Sequence, residues 1–139
     1  MNTRILAISK AEVFLDVIKP FLNRNGIEIA TVCHRTAYGL EVYESVNPDL
    51  VIMDVNWEED SYSISATELV GRLTERHPSV KIMLMTTMYD KNLFSRIKSE
   101  KIAGYFYRTM DNVIEEMVLG ITRVLKGLNY LPPLEGSMY

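Results

Sequence analysis

Asp54 is the residue best placed to do chemistry. It closes the aliphatic run Leu50-Val51-Ile52-Met53, which follows a turn at Asn47-Pro48-Asp49. A continuous apolar run of this length suits a strand buried on both faces of a parallel sheet. Ligands and reacting groups collect at the carboxyl ends of such strands. A carboxylate there is a functional group or a cap on neighbouring backbone. The other reactive side chains offer less. His34 and His77 are far apart in the chain with no ligand partners around them, so metal binding by either is not expected. Cys33 is the only cysteine; it allows no internal disulfide, fits a reducing compartment, and reads as packed rather than reactive. Glu58-Glu59-Asp60 reads as a solvated loop. The chain is not expected to be an enzyme, because it shows no nucleophile–base pair and no dinucleotide fingerprint.

The elements that must position Asp54 are marked by apolar periodicity. Strands are expected at Arg4–Ile8, Ile27–Val32, Leu50–Asp54, Val80–Met85 and Ala103–Tyr107. Ser9-Lys10-Ala11-Glu12 has the spacing of a capping box, as has Ser65 to Glu68. The first opens a helix with Val13, Phe14, Val17, Ile18, Phe21 and Leu22 at helical spacing, with Pro20 near its end and Asn25-Gly26 as its stop. A second helix is expected over Thr36–Ser45 with Ala37, Leu40 and Val42 inward, and a third through Leu69, Val70 and Leu73 to about Arg76, halted by His77-Pro78. Asp90 would cap a fourth through Leu93, Phe94 and Ile97. The last starts at Thr109 or Asp111, carries the stripe Val113, Met117, Val118, Ile121, Val124, Leu125, and ends at Gly127. The loop from Val55 to Ser65, at 11 residues, exceeds the usual ~2–6 of a strand-to-helix connection. Residues 1–127 form the expected domain, and 128–139, with Pro132-Pro133, a tail or linker.

Alternation of this kind calls for a parallel sheet with helices on both faces and right-handed crossovers. The expected fold is α/β, a flavodoxin-like (βα)5 doubly wound sheet in the order 2-1-3-4-5, with its switch point between strands one and three. Asp54, Ser9-Lys10 and Thr86 then surround one crevice. The 139 residues, 47% hydrophobic and 24% charged, suit one domain with its own core. A net charge of −3 gives no basic footprint for nucleic acid. The apolar run Ile5–Ile8 is too short for a signal peptide, and nothing approaches the ~20 apolar residues of a membrane span. The expectation is a soluble cytoplasmic protein.

From about residue 3 to residue 130 the chain resembles the receiver domain of two-component response regulators. Pro48 to Asp54 resembles the family's phosphoacceptor strand, which makes Asp54 the implied acceptor. Thr86 falls where the family keeps a hydroxyl that bonds the phosphoryl oxygens, and Tyr105 on its aromatic switch. Arg108 falls on the family's lysine. Thr86 and Arg108 are 22 residues apart, as in the branch that carries helix-turn-helix output domains, and Gly127-Leu128-Asn129-Tyr130-Leu131 resembles that branch's exit from the last helix. The resemblance implies a histidine kinase or phosphotransfer protein as partner and possible homodimerisation through the face of the fourth helix, fifth strand and last helix. It implies neither direct nucleic-acid binding by this domain nor membrane association. With no helix-turn-helix segment in these residues, the chain reads as a stand-alone receiver or a piece of a longer regulator.

Departures bear on the chemistry. The family's Mg²⁺-binding acidic pair is replaced by Ser9 and Lys10, and its Met-Pro and Gly after the acceptor by Trp57-Glu58 and Ala66, with about four extra residues between. Asp54 and the Asn56 backbone carbonyl remain as possible ligands for Mg²⁺, a hard cation that needs oxygen donors; no other cofactor is expected. Lys10 or Arg108 could pair with Asp54 and mimic an occupied site. Two readings follow: a receiver phosphorylated on Asp54, or a degenerate receiver that acts as a phosphorylation-independent interaction module. A flavin- or cobalamin-binding domain of the same fold finds no phosphate loop after strand one and no suitably placed histidine.

Overall fold

The computed structural model describes residues 2–55, 65–87 and 102–131. Five strands form, on aliphatic runs in β1 (Thr3–Ile8), β3 (Leu50–Asp54) and β4 (Ile82–Thr86), on a mixed apolar and polar segment in β2 (Ile27–Cys33), and on an aromatic segment in β5 (Gly104–Tyr107). They pair in parallel in the order β2-β1-β3-β4-β5, the flavodoxin-like arrangement expected above. Side chains alternate across a pleated strand, so the sheet divides the core in two. Ile5, Ala7, Leu50, Ile52, Met83, Met85 and Phe106 face one layer, with α1 (Glu12–Arg24) and the last helix (Val113–Leu125). Leu6, Ile8, Val51, Met53, Ile82, Leu84 and Tyr105 face the other, with α2 (Gly39–Val46) and α3 (Ala66–Arg76).

The helices show where local pattern and tertiary packing part. α1 buries Leu15, Ile18 and Leu22. Of its expected inner residues, Val13 is 80% exposed, and Val17 and Phe21 are also exposed. Apolar residues occupy more than one face of this helix, and the sheet takes the arc through Leu15 rather than the one through Val17. The Arg24 guanidinium lies over the outward Phe21 ring, 5.2 Å from its centroid. Pro20 sits inside α1, which nevertheless runs to Arg24. α2 is preceded by a 3₁₀ turn at Thr36–Tyr38. Its first residue, Gly39, is pressed against α3: a β-carbon there would lie 2.5 Å from Leu69 Cδ2.

The last helix begins at Val113, later than Thr109 or Asp111, because Asn112 is left-handed at φ 54° and cannot continue a right-handed turn. Its stripe is buried at Met117, Ile121 and Val124 as expected. Beyond Gly127 the chain stays with the domain, and Tyr130, expected in a tail, is buried. The helix expected from Asp90 through Leu93, Phe94 and Ile97, the loop residues Asn56, Trp57, Glu58, Glu59 and Asp60, and residues 132–139 lie outside the described residues. Among the described residues no helix is long and apolar enough to cross a membrane.

Candidate functional site

Three strand ends bring together Ser9, Asp54 and Arg108. β3 pairs with β1 on one side and β4 on the other, so Asp54 sits at the middle of the sheet's carboxyl edge. Continuing each strand's alternation puts Ser9 (after Ile5 and Ala7), Asp54 (after Leu50 and Ile52) and Arg108 (after Phe106) on the α1 side. Ser9 Oγ donates to Asp54 Oδ2 at 3.1 Å, and Arg108 Nη1 lies 3.7 Å from the same oxygen. The Asp54 side chain is 7% exposed, and its Oδ1 is buried with no hydrogen-bond partner among the described residues. Burial pushes the Asp54 pKa up, because desolvation penalises the carboxylate; Arg108 and then the Ser9 hydroxyl pull the other way without offsetting it.

Arg108 is held on several sides. Its backbone N–H donates to the Thr86 carbonyl at 2.8 Å, and Nη2 donates to Thr87 Oγ1 at 2.8 Å. Its guanidinium carbon lies 5.8 Å from the centroid of the Phe14 ring, within cation–π range. Its Nε is buried without a hydrogen-bond partner among the described residues. Sequence reasoning missed Phe14, counted only as a core residue. It noticed Thr87 only as Thr86's neighbour; two adjacent hydroxyls on a strand end must face opposite ways, and that was the available signal.

Ser9 does not cap α1. The helix begins at Glu12 with Ala11 in the capping position and no side-chain cap. Ser9 Oγ accepts the Ala11 N–H at 2.9 Å while donating to Asp54. The Glu12 N–H donates instead to the Lys10 carbonyl at 3.0 Å, and the Ser9 hydroxyl hydrogen is directed at the Asp54 carboxylate. Lys10 is exposed, and among the described residues no ion pair joins it to Asp54; the cation on that carboxylate is Arg108. His34, at the end of β2, lies 3.3 Å from the Ser9 carbonyl and 3.1 Å from Glu12 Oε1.

Thr86 and Tyr105 occupy the other pleat face. Thr86 is buried, and its Oγ1 is 3.2 Å from the hydroxyl of Tyr105, whose exposure is 0%. The crevice expected around Asp54, Ser9 and Thr86 is thus two clusters, joined through the backbone bond from Arg108 to Thr86.

These residues do not fit a divalent ion. One carboxylate faces a guanidinium, the acidic-pair positions hold a hydroxyl and an exposed ammonium, and no group of three His, Cys, Asp or Glu is gathered among the described residues. Asn56, the other expected ligand, is outside them.

No established family profile matches the chain. It is similar to the transcriptional regulatory protein DegU of Brevibacillus brevis, at 24% identity over 94 residues (68% of this chain, 37% of DegU). It is also similar to LnrK of Bacillus subtilis, at 26% over 110 residues (79% of this chain, 47% of LnrK). The chain therefore spans less than half the length of these curated relatives. In structure it resembles a LuxR-family two-component response regulator from Aurantimonas, with TM-score 0.82 at 16% identity over 96% of this chain and 91% of that one. The isolated REC domain of RcsB from Salmonella enterica, with a phosphomimetic present, gives TM-score 0.80 at 15% identity over 95% and 94%.

Proposed function

We propose that this chain, which is like two-component response regulators in fold and like transcriptional regulatory proteins in sequence, is a degenerate receiver, an interaction module that works without phosphorylation. The pairing of Asp54 with Arg108 carries this reading. Phosphoryl transfer to a carboxylate needs an accessible oxygen and positive charge on the incoming group. Here Ser9 and the guanidinium share Oδ2, and the residues around it do not replace the missing acidic pair. The buried Tyr105–Thr86 contact also supports it. Tyr105 is turned inward against Thr86 with Asp54 unmodified, the position that the resemblance gives to the switch residue of a phosphorylated receiver. The face that the resemblance assigns to the fourth helix, fifth strand and last helix then serves as a constitutive docking face for another protein or a second copy.

The alternative, Asp54 as acceptor from a histidine kinase or phosphotransfer protein, is favoured by the partnerless Oδ1. That oxygen would bond phosphorus as the donor's P–N bond breaks and the imidazole recovers a proton. The test is intact mass after incubation with phosphoramidate, with and without Mg²⁺, on wild type, Asp54→Ala and Arg108→Lys. No adduct on wild type is expected. A single adduct that disappears in Asp54→Ala would overturn the degenerate reading.

A further inference from the structure

The chain leaves the last helix and returns to the sheet. Gly127, at φ 84°, supplies the left-handed turn. Leu128 N–H donates to the Arg123 carbonyl at 3.0 Å, and Arg123 Nε donates to the Asn129 carbonyl at 3.2 Å. Tyr130 then lies beside β5 as a parallel bridge to Gly104. Its N–H donates to the Ala103 carbonyl at 2.9 Å, and its carbonyl accepts the Tyr105 N–H at 3.2 Å. The ring is buried over Gly120, where a β-carbon would meet it at 2.9 Å, and the hydroxyl donates to Glu116 Oε2 at 2.5 Å. Side chain, backbone and turn all seat this one residue.

Tyr105 belongs to both ends of the molecule's business. Its backbone N–H holds Tyr130, and its hydroxyl meets Thr86, whose carbonyl holds Arg108 beside Asp54. We propose that Leu128–Leu131 is a clip whose seating on β5 is coupled, through Tyr105, to the Thr86–Arg108 arrangement at the carboxyl edge. A displacement of Tyr105 that breaks its contact with Thr86 moves the N–H that bonds the Tyr130 carbonyl. Release of the clip frees the Ala103 carbonyl and the Tyr105 N–H, and with them the outer edge of β5 that positions Tyr105 against Thr86. The coupling is reciprocal, as linkage requires, and is independent of whether Asp54 is ever phosphorylated.

Amide hydrogen exchange followed by NMR tests the coupling from both directions. Thr86→Val keeps the shape and removes the hydroxyl; it should speed exchange of the Tyr130 N–H about tenfold while the Leu73 N–H in α3 keeps its wild-type rate. Conversely, Tyr130→Phe, which loses the bond to Glu116, and Gly120→Ala, which crowds the ring, should speed exchange of the Arg108 N–H. If Thr86→Val does not fold, Tyr105→Phe removes the same contact from the other side and gives the same readout. A wild-type Tyr130 rate in these variants overturns the proposal. So does an equal acceleration across α3 and the strands, which reports lost stability rather than coupling.

Discussion

Two helices open on a serine three residues ahead of a glutamate, and the serine caps only one of them. Ser65 is in extended conformation at the start of α3, and its Oγ accepts the Glu68 N–H at 3.0 Å. Ser9 bonds the Ala11 N–H and the Asp54 carboxylate, and α1 starts without a side-chain cap. The inner faces differ likewise: α3 buries Leu69, Val70 and Leu73 as its periodicity requires, whereas α1 exposes Val13, Val17 and Phe21. α3 contains one apolar arc, and its serine has no rival partner among the described residues. α1 contains two arcs and a serine beside a buried carboxylate. Local pattern decides structure where it offers one solution, and the tertiary neighbours decide where it offers two.

The contrast breaks first if the two helices respond alike to truncation. Leu73→Ala should cost about 2–5 kcal/mol in denaturant unfolding, as a large-to-small change in a packed core does. Next, Ser65→Ala should cost about 1 kcal/mol, the usual worth of a side-chain cap. It should leave the Asp54 carboxyl titration, followed by ¹³C NMR, where it was. Ser9→Ala should act oppositely: with a donor to Oδ2 gone, the Asp54 pKa rises further, and α1 loses no cap. If Ser9→Ala leaves that titration unmoved, the two serines are not functionally distinct.

A smaller effect concerns pH. The folded Asp54 pKa lies above the ordinary carboxylate value. The stabilisation from holding Asp54 protonated is therefore fully present below the unfolded carboxyl pKa and is lost as pH rises through the raised folded pKa. Asp54→Asn should raise the melting temperature at pH 7 relative to wild type, with the gain shrinking toward about pH 4. A gain that stays constant over that range would contradict the burial argument. The smallest change is expected at Val17→Ser on the exposed arc of α1, within about 0.5 kcal/mol of wild type.

The centre of the sheet was legible because Ile5 to Ile8, Leu50 to Met53 and Ile82 to Met85 are apolar on both pleat faces, which leaves few alternatives to a covered parallel strand. Asp54 was legible for the same reason, as the residue where that run stops. Which side chains join it was not. Ser9 and Lys10 are adjacent, and the pleat phase at the end of β1 turns Ser9 toward Asp54 and leaves Lys10 exposed. The same phase separates Thr87, on Arg108, from Thr86, on Tyr105. Asn112 delays the last helix through a left-handed backbone angle that asparagine tolerates but does not require. Gly127 is a true helix stop, but a stop does not say where the chain goes next, and the seat of Tyr130 on β5 is set by residues distant in sequence.

That seat also bears on self-association. β5 is an edge of the sheet, and an unpaired edge offers its N–H and C=O groups to strands of other molecules. Tyr130 engages the Ala103 carbonyl and the Tyr105 N–H on that edge. In doing so it withdraws part of the ladder from any intruding strand. Loss of the clip would therefore show first in the colloidal behaviour of the protein, as sheet-to-sheet aggregation that starts while the rest of the core is still folded.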